Sequence, residues 1–286
     1  MPSFLRLCER ALPAAIAGLI LIPSACHAQP AAQPRIASIN VCTDQLLLAL
    51  AEPQQILGLS PYSRDVARSW AAKEAARFPK LSGEAEDILI LKPDIVVAGR
   101  FTRRATRELL KEKGVRVVEF DAVRSIADVR AQTRRMGDLV GHPERAQAEI
   151  DRLDAAISRT RATVARTAQS VLAVSRRGWV SGSESLTTSL LAEVGLSNAA
   201  AALGIRNGGF ASLEAIVNLK PDLLLLSDGG DAAEDQGRAF LLHPALQRLY
   251  PPEKRIVIPE RLTVCGGPML ADALDRLTLE LARAGR

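Results

Sequence analysis

Short apolar runs alternate with helical patterns along most of this chain. In the first half the pattern predicts strands over 35–39, 56–59, 95–98 and 116–120 and helices over 44–51 and 102–113. In the second half it predicts strands over 171–175, 223–226 and 255–258 and helices over 186–194 and 270–284. Continuous apolar runs of this length are typical of strands buried on both faces. Strands that alternate with helices predict parallel sheets covered by helices on both sides.

One block of sequence occurs twice, once in each half. Residues 86–99 read EDILILKPDIVVAG and residues 214–227 read EAIVNLKPDLLLLS, and the two align without a gap. In each copy a short helix begins near the glutamate and ends before the proline, because proline disfavours helical geometry in the residue before it. A buried strand follows. A recurrence of this length predicts two related α/β lobes.

The sequence between the two halves predicts a long connecting helix. Ser125 and Asp128 have the spacing of a helix cap, and Gly141 ends that helix. Pro143 suits the first turn of a new helix, and residues 143–167 contain no glycine and no further proline. At 1.5 Å per residue this helix would be about 37 Å long, enough to bridge two lobes. We therefore predict an N-terminal lobe over 34–140, a connecting helix over 143–167, a C-terminal lobe over 168–286 and a ligand cleft between the lobes.

The N-terminus indicates export. Two arginines precede an apolar stretch over 11–22, which is the length of a signal-peptide core and too short to span a bilayer. Cleavage after Ala28 would leave small residues at the two positions that signal peptidase reads. This predicts a signal peptide over 1–28 and a soluble periplasmic chain. Lipoprotein processing at Cys26 is the alternative, but Pro23 stands where that motif requires an aliphatic residue.

Composition excludes several classes of function. The net charge is +5, but Lys and Arg are interspersed with Asp and Glu, so we do not expect nucleic-acid binding. The chain has no phosphate-binding loop of the Gly-x-x-x-x-Gly-Lys-Ser/Thr type, so any ATPase must be a separate protein. It also lacks a nucleophile elbow, and a secreted hydrolase is a remote alternative. His142 and His243 are far apart in sequence, so we expect no direct metal site and no cofactor.

With these features the chain resembles the periplasmic binding proteins of ABC importers for iron-siderophores, haem and cobalamin. The repeated Glu-x-Ile-x-x-Leu-Lys-Pro-Asp block is its most specific element, and the resemblance covers the whole mature chain. It implies two α/β lobes joined by one helix, a ligand between them, no enzymatic activity and delivery to a membrane permease with a separate ATPase. It also implies that Glu86 and Glu214 dock onto the permease. Alternatively, each is an acid that favours the start of its helix.

Ligand contacts are expected in the loops that follow strands, because open α/β sheets bind ligands at the carboxyl ends of their strands. Arginine is of interest there, since its guanidinium suits the carboxylate, catecholate or hydroxamate oxygens of an anionic chelate. The predicted contacts are Cys42, Tyr62, Arg64, Arg100, Phe101, Arg177, Trp179, Arg261 and Cys265. We expect an iron(III)-siderophore-type chelate, with cobalamin or haem as the alternative. Any metal would arrive inside the chelate.

Two cysteines remain after removal of the signal peptide. Cys42 follows the first predicted strand of one lobe and Cys265 follows the last predicted strand of the other. Three alternatives stay open: a disulfide across the cleft mouth, thiols that contact the ligand or its metal, or two unrelated loop residues. A disulfide requires the two Cα atoms within about 7 Å. We expect a monomer whose lobes close little on ligand, because one long helix joins them.

Overall fold

The computed structural model describes residues 33–164, 169–228 and 236–284. The predicted signal peptide and Cys26 lie outside these ranges, as do residues 165–167 at the end of the predicted connecting helix. Within the described ranges, no helix combines the length and the apolar character needed to cross a membrane.

The first lobe is a parallel four-stranded sheet with helices on both faces. Its strands are β1 (Ile36–Ser38), β2 (Ile56–Gly58), β3 (Ile95–Gly99) and β4 (Arg116–Phe120), and its helices are α1 (Val41–Leu50), α2 (Ala72–Ala75), α3 (Ala85–Ile90), α4 (Arg104–Glu112) and α5 (Ile126–Val140). The strand order is β2-β1-β3-β4. Ile95 and Val97 of β3 pack into one hydrophobic core, while Val96 and Ala98 pack into another. The continuous apolar run of β3 therefore reflects burial on both faces of the sheet.

The second lobe has a mixed sheet. Its strands are β5 (Ser170–Ser175), β6 (Trp179–Val180), β7 (Ser197–Asn198), β8 (Gly209–Phe210), β9 (Leu223–Asp228) and β10 (Arg255–Pro259). Its helices are α7 (Leu186–Glu193), α8 (Leu213–Leu219), α9 (Gln236–Leu241), α10 (Pro244–Leu249) and α11 (Met269–Ala284). Strands β10, β9 and β5 are parallel neighbours, and β7 pairs parallel with β5.

The antiparallel edge of this sheet corrects the prediction of a purely parallel lobe. Strand β6 runs antiparallel to β5, and β8 runs antiparallel to β6. Arg177 and Gly178, with φ of +62° and +77°, turn the chain back directly after β5. Two consecutive left-handed residues reverse the chain too sharply for a helix to follow the strand, as it does after β1.

The two copies of the repeated block have the same local geometry. The lysine of each copy, Lys92 or Lys220, has a positive φ (+46° and +51°) within two residues of the end of its helix. The aspartate then reaches the neighbouring strand. Asp94 accepts a 2.7 Å hydrogen bond from the backbone N–H of Arg35, and Asp222 accepts a 2.7 Å bond from the N–H that opens β5. The Lys-Pro-Asp element is thus a fold motif that ends a helix and fixes the amino end of the adjacent strand.

Helix α6 (Pro143–Thr163) joins the lobes, which confirms the predicted architecture of two α/β lobes and one long helix. Near its start, Arg145 forms an ion pair with Glu52 of the first lobe. Further along, Leu153 and Ile157 are buried in the core of the second lobe. One helix therefore takes part in the packing of both lobes.

The lobes also pack directly against each other beside this helix. Ile126 and Val129 of α5 are buried in the core cluster of the second lobe. The N–H of Ile126 donates to the hydroxyl of Ser189 in α7 at 3.0 Å. Gly266 approaches Val123 so closely that an added Cβ would lie 2.2 Å from a methyl carbon. The sequence did not predict this contact, which closes the base of the space between the lobes.

Candidate ligand site between the lobes

A cleft lies between the lobes at the carboxyl ends of β1, β3 and β4. Its cavity volume is about 210 Å³, below the range of about 300–1,000 Å³ that is usual for small-molecule sites. Its apolar lining comes mainly from Leu46, Phe120, Val123, Leu186 and Val264. Its polar lining includes Asn40, Thr43, Arg100, Asp121, Gln132 and Thr263. The wall is thus mostly apolar, with polar groups concentrated on the first lobe.

The structure brings some of the predicted ligand contacts together and not others. Cys42, Arg100, Phe101 and Cys265 line the cleft. Tyr62, Arg64, Arg177, Trp179 and Arg261 lie outside its lining.

Arg100 and Phe101 form the charged and aromatic corner of the cleft. The N–H of Arg100 donates to the carbonyl of Phe120 at 2.9 Å, which extends the pairing of β3 with β4. Its guanidinium lies 3.4 Å from a carboxylate oxygen of Asp121, and both side chains are largely exposed. Phe101 is 84% exposed. A solvated ion pair of this kind contributes little to stability, so the guanidinium can exchange Asp121 for an anionic group of a ligand.

Cys42 and Cys265 are joined by a disulfide, with their Cα atoms 5.3 Å apart. Of the three alternatives left open by the sequence, the structure has this one. Cys265 is 2% exposed, and the side-chain N–H of Gln45 approaches its sulfur at 3.3 Å. The bond therefore lies in the buried wall of the cleft and not at its mouth, where it was expected.

Tyr62 and Arg64 belong to a segment without regular secondary structure that follows β2. Tyr62 is 53% exposed, and the guanidinium of Arg68 lies 5.8 Å from its ring centroid. The guanidinium of Arg64 donates to the backbone carbonyl of Phe78 at 2.6 Å. The side chain of Tyr62 is accordingly exposed, whereas Arg64 is committed to the protein backbone.

The three remaining predicted contacts lie on the second lobe. Trp179 packs edge to face against Phe210, with ring centroids 5.0 Å apart. Gly208 permits this packing, since an added Cβ would lie 2.8 Å from the indole ring. Arg177 and Arg261 are both exposed. The antiparallel turn after β5 places Trp179 in a hairpin, not in a loop that directly follows a parallel strand.

Two cleft residues escaped the sequence prediction because they belong to helices and not to loops that follow strands. Gln132 belongs to α5 and Leu186 opens α7. Helix starts that point at the cleft would have been a usable signal, since Ser125 and Ser185 both cap helices at this edge.

The two acids of the repeated block are exposed and occupy matching positions. Glu86 is the second residue of α3 and Glu214 is the second residue of α8. Neither forms an ion pair with another described residue. Hydrogen bonding by its own backbone N–H, and then by the Ser212 hydroxyl, lowers the pKa of Glu214 below its usual range. Both lobes therefore present a carboxylate at the same place in the repeat, outside the cleft lining.

Among the described residues, no group of three or more His, Cys, Asp or Glu side chains is arranged so that it could hold a metal ion.

The similarity of this chain to known proteins extends over both lobes. The profile of a family described as periplasmic binding protein matches residues 36–251. A periplasmic haem-binding protein from Pseudomonas aeruginosa is 25% identical, with a TM-score of 0.68 over 86% of this chain and 91% of that one. The apo periplasmic haem-binding protein RhuT from Roseiflexus sp. RS-1 is 23% identical, with a TM-score of 0.69 over 89% and 100%. The periplasmic vitamin B12 binding protein BtuF of Vibrio cholerae is 15% identical, with a TM-score of 0.64 over 89% and 98%. Among curated protein sequences, none matches this chain.

Proposed function

The chain belongs to the periplasmic binding protein family, and we propose that it delivers an iron(III) chelate of the siderophore type to the permease of an ABC importer. Membership confirms the resemblance found in the sequence. It places the protein in the periplasm and among binding proteins, not enzymes. Binding proteins of this class serve importers made of a permease and an ATPase.

One observation carries the proposal. The cleft lies between two lobes, and each lobe presents an exposed glutamate at the second residue of the repeat helix, without an ion pair among the described residues. Matched charges on two lobes fix the orientation of a partner more than its affinity. Glu86 and Glu214 are therefore the proposed contacts with basic residues of the permease, and the cleft carries the ligand.

The lining of the cleft supports a chelate with both apolar and anionic parts. Arg100 offers a guanidinium that is balanced only by a solvated carboxylate, and Phe101 offers a free aromatic face. Leu46, Phe120 and Val264 give an apolar wall. In this proposal the metal enters already enclosed by its chelator, so the protein supplies no metal ligand and needs no cofactor.

Haem is the second candidate. The apolar wall suits a flat macrocycle, Arg100 suits a carboxylate at its edge, and the P. aeruginosa haem-binding protein is 25% identical over both lobes. Cobalamin, the third member of the sequence-based set, is less favoured, because only two aromatic side chains of the cleft lining, Phe101 and Phe120, are available to pack against its large ring.

The mature protein is proposed to be a soluble monomer cleaved after Ala28. Intact mass and size-exclusion chromatography with light scattering of protein secreted by its own host test both points. A lipid-modified N-terminus at Cys26, or a dimer mass, would refute the corresponding part.

Titration of the mature protein with a ferric triscatecholate, a ferric hydroxamate, haemin and cyanocobalamin tests the ligand. We expect tight binding of a ferric siderophore, and a loss of about tenfold in affinity for Arg100→Ala, in line with one charge-assisted hydrogen bond. Arg116→Ala, at the amino end of β4 and away from the cleft, is the matched control. Selective binding of haemin would favour the second candidate, and failure of all four ligands would contradict the proposal.

A further inference from the structure

Four consecutive residues at the start of α1, Cys42 to Gln45, all make specific contacts at the junction of the lobes. Cys42 is bonded to Cys265 of the second lobe. The hydroxyl of Thr43 bonds to that of Ser38 at 2.8 Å. Asp44 and Gln45 bond instead to the two ends of one segment, residues 60–70, which carries Tyr62.

Asp44 holds the beginning of the 60–70 segment. Its carboxyl group is fully buried. One oxygen accepts the N–H of Ser60 at 3.1 Å, and the other is 2.5 Å from the Ser60 hydroxyl. Because hydrogen bonds in a dry environment are strong, this contact fixes where the chain leaves β2.

Gln45 holds the other end. Its amide oxygen accepts the N–H of Trp70 at 3.0 Å, while its amide nitrogen faces the sulfur of Cys265. The indole N–H of Trp70 then donates to Asp272 of α11 at 2.6 Å. The end of the segment is therefore tied both to α1 and to the second lobe.

Between its ends the segment is held by its own backbone turns and by the hydrogen bond from Arg64 to the carbonyl of Phe78. Its outer side chains are solvated, with Tyr62 53% and Val66 73% exposed. Its inner side chains include Ser63 and Ser69, whose hydroxyl groups are buried without a hydrogen-bond partner among the described residues. Polar side chains of this kind supply no hydrophobic anchor, so the position of the segment depends on hydrogen bonds, and those at its two ends attach it to α1.

We propose that Asp44 and Gln45 are positioning residues for the ligand, which act by holding the 60–70 segment and with it Tyr62. The segment leaves the carboxyl end of β2, which is parallel to β1, so it lies at the edge of the sheet that also carries the cleft. This inference rests on the proposed function, because it assigns Tyr62 a place in ligand binding.

The protonation state of Asp44 gives the inference a specific signature. Burial raises the pKa of this carboxyl to about 7. The groups that face it are the Ser38 hydroxyl from β1 and the hydroxyl and N–H of Ser60, none of them charged. The protonated acid donates its hydrogen to the Ser60 hydroxyl and still accepts the Ser60 N–H at its other oxygen, whereas the carboxylate keeps both bonds but carries a charge that burial disfavours. The grip on the segment is therefore expected to weaken as pH rises through about 7.

Hydrogen exchange with mass spectrometry on ligand-free protein at pH 6 and pH 8 tests the grip itself. After correction for the intrinsic pH effect, we expect faster exchange of residues 60–70 at pH 8 than at pH 6 in the unaltered protein, because opening of the segment relieves the buried charge on Asp44. Asp44→Asn should show the same exchange at both pH values, because its amide also donates at one atom and cannot titrate. Gln45→Ala should raise exchange at the Trp70 end. Asp151→Asn, an exposed substitution on α6, is the control and should match the unaltered protein.

Affinity for a ferric triscatecholate, measured at the same two pH values, tests the link to the ligand. We expect losses of about three- to tenfold for Asp44→Ala and Gln45→Ala, the size of one or two hydrogen bonds, and a pH-independent affinity for Asp44→Asn. Unchanged exchange in folded Asp44→Ala and Gln45→Ala would overturn the inference, and so would faster exchange with unchanged affinity. If the chelate fails to bind the unaltered protein, the proposed function fails for this ligand, while the exchange data still decide whether the two side chains position the segment.

Discussion

The two lobes are alike at the amino ends of their strands and different at the carboxyl ends. At the amino ends, Asp94 and Asp222 bind the neighbouring strand in the same way. At the carboxyl ends, the first lobe supplies most of the cleft lining through the loops after β1, β3 and β4. The second lobe supplies α7 and the loop after β10, and it turns back after β5 into a hairpin. The repeat therefore maintains the fold on one side of each sheet and leaves the ligand side free to differ.

The two lobes should contribute equally to docking on the permease through the exposed acids of the repeat. Glu86→Arg combined with Glu214→Arg is expected to abolish uptake in a transport assay, because like charges would then face the basic groups of the permease. Affinity for the ligand should not change, since neither residue lines the cleft. Each single reversal should give an intermediate loss.

The control for this experiment carries the same change of charge on both lobes. Glu112→Arg and Glu253→Arg alter exposed acids outside the repeat and the cleft. Their double variant should transport normally. Normal uptake by the Glu86 and Glu214 variant, or loss of ligand affinity in it, would show that these acids are not docking residues.

The disulfide between Cys42 and Cys265 links the two lobes covalently. It joins residues with a sequence separation of 223, so by the chain-entropy account its removal should lower the free energy of unfolding by up to about 5 kcal/mol. The measurement is urea unfolding of Cys42→Ser with Cys265→Ser, compared with the unaltered protein under oxidising and reducing conditions. Reduction should destabilise the unaltered protein and leave the double variant unchanged. Equal stability of all forms would contradict a structural role for the bond.

The elements that the sequence predicted are those that depend on local pattern. The repeat, the parallel cores and the long helix all follow from apolar runs, helix caps and proline positions. The hairpin of β6 and β8 could not be predicted, because strands of two residues have no periodicity and the left-handed Arg177 has no sequence signature. The cleft was predicted only in part, because its lining also depends on contacts between residues that are distant in sequence. Leu186 and Val123 reach it only because the lobes pack together through Gly266, a contact between residues distant in sequence.

The buried acid of the first lobe has no counterpart in the repeat, and it predicts an asymmetric dependence of stability on pH. Burial raises the pKa of Asp44 from 3.8 to about 7, so the folded protein holds this proton more tightly than the unfolded chain does. Its contribution to stability is complete below pH 3.8 and is lost as pH rises to about 7. At 1.4 kcal/mol per pKa unit the loss amounts to about 4 kcal/mol at most.

Asp44→Asn should remove this dependence. The difference in unfolding free energy between the variant and the unaltered protein, measured in urea at pH 5 and pH 8, should shift in favour of the variant at pH 8. Taking the difference cancels the other carboxyl groups, which titrate in both proteins. Asp151→Asn should show no such shift. A difference that stays constant between the two pH values would mean that Asp44 titrates normally.

Substitution of the strand-binding aspartates should have smaller effects on stability, and the effect should differ between the two lobes. Asp94→Ala removes one charge-assisted bond, to the N–H of Arg35, and should cost about 1–2 kcal/mol. Asp222→Ala should cost more, because Asp222 accepts both the N–H and the hydroxyl of Ser170. These bonds lower the pKa of Asp222 below its usual range, so its contribution should disappear as pH falls through that lowered pKa. Urea unfolding of both variants at pH 7 gives the order, and an equal or reversed order would refute the comparison.

The smallest expected effect is the movement of the lobes on ligand binding. The connecting helix, the disulfide and the contact of Gly266 with Val123 all join the lobes at the base of the cleft. Trp70 and Arg152 add hydrogen bonds of 2.6 and 2.8 Å to Asp272 from the side of the first lobe and from α6. A hinge requires a few residues whose backbone can change conformation without disturbing packed groups, and this base offers packed and bonded residues instead.

Small-angle scattering should therefore give the same radius of gyration with and without a saturating ferric chelate. The double cysteine variant sharpens the test, because any closure that the disulfide prevents should appear in it first. A clear decrease in the radius of gyration of the unaltered, oxidised protein would show that the lobes move despite these contacts.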